Sequence, residues 1–282
     1  MKAVLLNLTA WSVLPVMDGM AKYLSYDMHV FQVVWGRYFF MTIISLPLTY
    51  FFFKKYFIKP RNIYIQFIRS IFLFLSTVLF FYAISIISMA KALALAFVCP
   101  LIVTLLSSLL LKEKVGVHRW AAVFVGFIGA LIIIQPGFIK IDLATLAGLA
   151  TGIAYAFYII STRKLSSIDN PFLTLIFTGL FGAIIISLIV PFFWITPNLN
   201  QWLLMIALAA VGTFGHFCLI MSLNLAEASK LSPLAFFEII NNILIGYFFF
   251  GDFPNKWLWL GLFFIISSGI YISVRESKRT SK

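Results

Sequence analysis

The sequence predicts an all-α integral membrane protein of ten transmembrane helices, built as two inverted five-helix repeats. Three observations predict it. Hydrophobic residues make up 62 % of the 282 residues and charged residues 11 %, against roughly 45–50 % and about 25 % in an ordinary soluble domain. The apolar residues fall in runs of roughly 18 to 24, each bounded by charge, Gly or Pro, and about 20 are needed to cross the hydrocarbon core. The later runs also echo the earlier ones at a fixed offset.

The first run, 3–24, follows Lys2 but continues past the apolar core of a signal peptide and lacks a small-residue cleavage site, so it is read as a helix. The second, 31–53, stops at Lys54-Lys55, and the third, 64–86, opens after Lys59 and Arg61. The fourth, 90–111, ends at Lys112, and the fifth, 118–135, ends at Pro136-Gly137. The sixth, 143–162, runs from Asp142 to Arg163-Lys164, and the seventh and eighth are 171–195 and 201–223. The ninth, 227–250, is bounded by Glu227 and Gly251-Asp252, and the tenth, 256–274, by Lys256 and Arg275. These runs use up nearly the whole chain, leaving no stretch for a soluble catalytic or nucleic-acid-binding domain.

The net charge of +12 sits in alternate loops. Lys54, Lys55, Lys59 and Arg61 fill the second loop, Lys112, Lys114 and Arg119 the fourth, Arg163 and Lys164 the sixth, and Arg275, Lys278, Arg279 and Lys282 the C-terminal tail. The intervening loops hold only Lys22, Lys140 and Lys256. Because basic residues favour the cytoplasmic side, both termini are expected in the cytoplasm, with the protein multi-pass in the cytoplasmic (inner) membrane. Cys99 and Cys218 lie inside apolar runs without paired spacing and read as buried thiols.

Setting Glu113 on Asp252 puts Ala90-Lys91 on Ser229-Lys230, Phe97 on Phe236 and Trp120 on Trp259. The natural division is 1–137 and 138–282, five helices each. An odd number of crossings leaves the two copies with opposite orientation, the plan by which many secondary transporters alternate access about a midplane site.

Several motifs carry a family resemblance. Pro100 stands thirteen residues before Glu113, and Gly126 and Gly129 follow in the next helix. Glu238-Ile239 and then Asp252 repeat the interval in the second half, and Met17-Asp18-Gly19-Met20-Ala21-Lys22-Tyr23 and Val34-Trp35-Gly36-Arg37-Tyr38-Phe39 open the chain. Over nearly its whole length the sequence resembles the EamA type of the drug/metabolite transporter superfamily, including its riboflavin and S-adenosylmethionine carriers. The resemblance implies a transporter without cofactor. Ile239 stands where that family often has Pro, and Asp252 where it has Glu, so the second half is expected to be straighter there.

Charge inside a membrane is costly and marks function by default. Glu238 lies 11 residues after Glu227 and 14 before Asp252, and Asn241 and Asn242 follow at i+3 and i+4 on its face. This stripe is expected to line a central cavity, with Glu238 binding a cation or amine or taking up a coupling proton; a neutral Glu bonded to neighbouring helices is the alternative. Lys91 is a candidate for the same cavity, although it and Lys230 can instead snorkel to the interface. Asp18 and Lys22 are spaced to pair with each other, and Arg37 then neutralises an acidic substrate or a carboxylate of the protein. Arg69, a few residues into its helix, is expected to snorkel.

Pro15 and Pro100 free the carbonyls of Trp11 and Ala96 and are candidate hinges. Trp11, Trp35, Tyr82, Tyr155 and Tyr158 can stack on a planar substrate or sit over a cation, ordinary packing being the alternative. His216 has no partner at metal-ligand spacing, so no metal is expected. Gly148 and Gly152 form a close-contact step, explained by packing within the chain or by a homodimer.

The leading function is a secondary transporter moving a small organic metabolite by alternating access, with a planar or amine-bearing cargo. No Gly-rich phosphate loop accompanies it. An intramembrane lipid-modifying enzyme is the alternative, and would need a second reactive group beside Glu238; a channel would need a filter segment.

Overall fold

The structure, a computed structural model, describes residues 2–53, 60–99, 102–103, 105–106, 117–134, 142–166, 169–225 and 231–280. Ten α-helices lie among these residues: α1 (Lys2–Leu24), α2 (Val30–Phe53), α3 (Ile63–Ile86), α4 (Met89–Ala96), α5 (Val117–Ile134), α6 (Leu143–Ser166), α7 (Pro171–Ile189), α8 (Leu199–Leu225), α9 (Phe236–Phe250) and α10 (Lys256–Thr280). Six of them, α1, α2, α3, α6, α7 and α8, contain stretches long and apolar enough to cross a membrane, and α5, α9 and α10 contain shorter apolar stretches. Their outward faces stay apolar, as at Phe192, Phe248 and Phe249, which suits lipid and not water.

The helix ends are written in polar residues. Asn62, Ser88, Asp142, Asn170 and Asn255 each accept a backbone N–H from the first turn of α3, α4, α6, α7 and α10, relieving donors that no intrahelical carbonyl reaches. At α8, Asn198 and Gln201 exchange side-chain and backbone bonds, both at 2.9 Å, a reciprocal cap. α9 stops at Gly251, whose φ of 68° lets Asp252 N–H turn back to the Gly246 carbonyl at 2.9 Å.

Packing follows a rule of exchange. α1 packs most extensively on α8, and α3 on α6; α5 packs on α10 and α2 on α7; α1 meets α9, α4 meets α6, and α4 meets α9. Advancing every helix by five carries α1–α8 onto α6–α3 and α1–α9 onto α6–α4, while α5–α10, α2–α7 and α4–α9 map onto themselves. In the α5–α10 pair, Gly129 and Gly261 lie against each other's carbonyl oxygen, so closely that a Cβ at either would stand under 3 Å from it. The Gly148–Gly152 step rests on Leu95 and on the Ala96 carbonyl of α4, and is therefore occupied within the chain.

Three expectations are corrected. The ninth run is not one helix: a 3-10 turn, Ser232–Ala235, precedes α9. Pro233 has no N–H for the i→i−4 ladder of an α-helix, so the straightness expected from Ile239 is lost earlier in the run. Glu238 consequently sits in the first turn of α9. Lys22 pairs not with Asp18 but with Asp252, Nζ to Oδ2 at 2.7 Å, and also donates to the Ile87 carbonyl at 3.2 Å. Arg69 does not snorkel: its side chain is fully buried and turned toward α6 and α7.

Candidate functional site

The site begins at a missing hydrogen bond. Pro15 leaves the Trp11 carbonyl without its helical donor, and the Asn241 side-chain amide of α9 supplies one at 3.3 Å while also donating to Phe237 at 3.1 Å. α1 is thereby fixed to the start of α9. One turn beyond Pro15, Asp18 turns inward and is 3 % exposed. Glu238, one turn before Asn241, is half-buried. The two carboxylates lie within electrostatic reach of each other, and Glu238 is also within reach of Tyr155 on α6 and of Cys99 just past α4. Side chains from three other segments thus come within electrostatic reach of Glu238.

Arg37 of α2 closes the opposite side. It is 5 % exposed; its Nη1 donates to Thr77 Oγ1 at 3.0 Å and its Nη2 lies 2.7 Å from His216 Nε2. The guanidinium rests 5.4 Å from the Tyr38 ring centre and 5.5 Å from that of Phe81, and Asp18 lies within its electrostatic reach. Tyr38 Oη and Thr77 Oγ1 are 2.9 Å apart. A guanidinium has only donors, so His216 Nε2 accepts and the ring carries its proton on Nδ1. That Nδ1 is buried and has no hydrogen-bond partner among the described residues.

Arg69 is held differently. Its Nε donates to Thr162 Oγ1 at 2.7 Å, its Nη1 to Thr178 Oγ1 at 2.6 Å and the Thr174 carbonyl at 3.2 Å, and its Nη2 to Tyr158 Oη at 3.1 Å. It also stacks 4.7 Å above the Tyr158 ring. A cage of neutral dipoles replaces the counter-ion.

The remaining candidates from the sequence scatter. Tyr155 and Tyr158 lie 5.1 Å apart, centre to centre; the first is within electrostatic reach of Glu238, the second is committed to Arg69. Asn242 is fully buried, its Nδ2 on the Glu238 carbonyl at 3.2 Å and its Oδ1 unpartnered among the described residues. Trp11 turns its ring to Asn7, Nε1 to Oδ1 at 2.8 Å, and Asn7 in turn donates to Ser222 at 2.9 Å. Trp35 joins Phe39, Trp194 and Trp202 in an aromatic cluster and donates to Ser187 at 3.0 Å. Tyr82 is half-buried against the apolar core. Lys91 is drawn toward Asp142 at the head of α6, where the Thr145 backbone N–H, its hydroxyl and then the Lys91 charge hold that carboxyl below its ordinary value. Pro100 lies outside the described residues. Reasoning from sequence missed Asp18 as a central group, and His216 and Thr77 as partners of Arg37; their only signal was that each is polar inside an apolar run.

The arrangement suits recognition more than bond chemistry: charges of both signs, aromatic neighbours and helix ladders interrupted by proline. The comparisons with known proteins agree. The S-adenosylmethionine uptake transporter of Rickettsia bellii is 26 % identical over 265 residues, covering 94 % of this chain and 91 % of its own. The riboflavin transporter of Vibrio cholerae is 32 % identical over 200 residues, covering 68 % of this chain and 65 % of its own. A solved protein structure aligns over 99 % of both chains with a TM-score of 0.71 at 17 % identity, a likeness of fold alone. The EamA-like transporter family matches residues 1–135 and again 142–274, and so accounts for both halves of the exchange pattern in the helix packing: the chain belongs to the EamA-like transporter family.

Proposed function

We propose that the chain moves a small organic metabolite across the cytoplasmic membrane by alternating access, both termini lying in the cytoplasm, and that the cargo carries an amine or another cationic group beside a planar moiety. What supports this reading is that Glu238 lies within electrostatic reach of both Asp18 and Tyr155. Two carboxylates in mutual repulsion in a low-dielectric interior favour either a proton or a cationic ligand between them. Glu238 is then the coupling residue as well as a binding residue, since one site serves cargo and proton in turn. The named cargoes of the relatives, S-adenosylmethionine and riboflavin, are the first compounds to try.

The halves 1–137 and 138–282 are taken as the moving units, supported by the exchange pattern among the helix pairs. The Lys22–Asp252 pair joins the end of α1 to the end of α9, and Lys22 also holds the Ile87 carbonyl between α3 and α4. These contacts belong to a closed outer mouth and separate when it opens. A homodimer through Gly148 and Gly152 is not proposed, because α4 occupies both.

The test is ligand-induced thermal stabilisation of purified protein against a metabolite panel, with Glu238→Gln in parallel, since a ligand that binds only the folded state raises its stability. A selective hit that weakens in the variant supports the reading. Hits indifferent to the variant remove Glu238 from the site, and a panel without hits sinks the cargo class.

A further inference from the structure

Among the described residues three cations point into the bundle from the first half, and two are fully engaged. Lys22 is bound to Asp252 and to the Ile87 carbonyl and lies over Phe250. Arg69 is closed in by four oxygen partners at 2.6 to 3.2 Å and is fully buried. Arg37 is the exception. A guanidinium offers five N–H donors, yet only Thr77 and His216 take any from Arg37 among the described residues. It is nonetheless almost wholly buried, and Asp18 acts on it electrostatically, with no ion pair to Arg37 among the described residues.

A buried guanidinium with donors to spare is an unmet demand for an anion. Its orientation is fixed rather than adaptable. Thr77 holds one terminal nitrogen, and Tyr38 in turn contacts the Thr77 hydroxyl at 2.9 Å; His216 holds the other through its unprotonated Nε2. The remaining N–H groups of Arg37 have no hydrogen-bond partner among the described residues. Asp18, within electrostatic reach of Arg37, and Glu238, within reach of Asp18, are the groups already read as the cation pole.

We infer that Arg37, positioned by His216 and Thr77, is the anion pole of the same site, so that the cargo is a zwitterion bearing a carboxylate as well as a cationic group. This rests on the reading of Glu238 and Asp18 as the cation pole, and narrows it. Riboflavin, which has no carboxylate, falls outside the class. His216 is a positioning residue: it touches Arg37, not cargo, and fixes which edge of the guanidinium remains free.

Matched pairs that differ only in the carboxylate provide the test: S-adenosylmethionine with its decarboxylated analogue, L-arginine with agmatine, and L-tryptophan with tryptamine, each titrated by thermal stabilisation. The carboxylate-bearing member of at least one pair is expected to act at roughly tenfold lower concentration than its partner. His216→Phe should bring that member to its partner's level and leave the partner unchanged. His216→Gln, whose side-chain carbonyl can accept from Arg37, should keep the difference. A purely structural role for His216 would lower both members together, and that result overturns the inference, as does equal action of both members on the unaltered protein. If the amines bind, weaken in Glu238→Gln and gain nothing from a carboxylate, the anion pole fails while the cation pole stands. If no member of any pair binds, both fail.

Discussion

The side-chain amide of Asn241 stands in for a backbone N–H that Pro15 lacks, lying 3.3 Å from the Trp11 carbonyl two hundred and thirty residues away in sequence. A proline defect in α1 is thus repaired from α9, which ties the helix that carries Asp18 to the helix that carries Glu238. If so, Asn241→Ala leaves a buried carbonyl unmet and lowers stability by about 1–2 kcal/mol. Pro15→Ala restores a local donor, and in that background the cost of Asn241→Ala shrinks by at least half. Thermal unfolding of the four proteins in one detergent measures the coupling.

Arg69 makes its contacts with a planar fork that lysine does not have. Arg69→Lys keeps the charge but abandons most of the cage of Thr162, Thr174, Thr178 and Tyr158. A loss of about 3 kcal/mol is expected, at the upper end for a hydrogen bond to a charged group. Ligand concentrations for half-stabilisation should stay close to what they were, because the hydrogen bonds of Arg69 go to α6 and α7 and the charge it presents to His216 is kept.

The Lys22–Asp252 pair is largely sheltered, with side-chain exposures of 8 % and 26 %. Asp252→Asn should lower the melting temperature, and raising salt should reproduce little of that effect in the unaltered protein, since screening acts weakly on sheltered pairs. A salt response as large as the mutation would place the pair in open water.

Asp142 caps α6 outside the membrane span. Its carboxyl is held below the ordinary value, first by the Thr145 backbone N–H and the Thr145 hydroxyl, then by Lys91. A depressed folded-state value means stability that is present above the unfolded value of about 3.9 and lost as pH falls through the folded one. Asp142→Asn, which still caps a helix, should flatten the acid side of a melting-temperature profile and leave neutral pH nearly unchanged.

Much of the architecture can be read from hydropathy, because a membrane demands long apolar runs and self-satisfied backbone. Continuity within a run is less visible. The stretch 227–250 reads as one run although Glu227, Lys230, Glu238, Asn241 and Asn242 interrupt it, and Pro233 marks the 3-10 turn that moves Glu238 from mid-helix to a first turn. Pairing was hardest to read. Spacing along α1 favours Asp18 for Lys22, yet Asp252 wins because packing brings it to 2.7 Å. Arg69 looks like a snorkelling residue from its place in α3, and only the hydroxyls of α6 and α7 show otherwise. Pro15 and Asn241 were each legible as unusual; that they serve one carbonyl is a property of the fold.

The division of partners between halves bears on how the chain is made. Every hydrogen-bond partner described for Arg69 lies in α6 or α7, and His216, which steadies Arg37, lies in α8. A ribosome that has delivered only the first five helices has therefore placed two guanidinium groups in the bilayer without most of their eventual companions. Completing the newborn protein therefore includes bringing α6, α7 and α8 to guanidinium groups that α2 and α3 already carry.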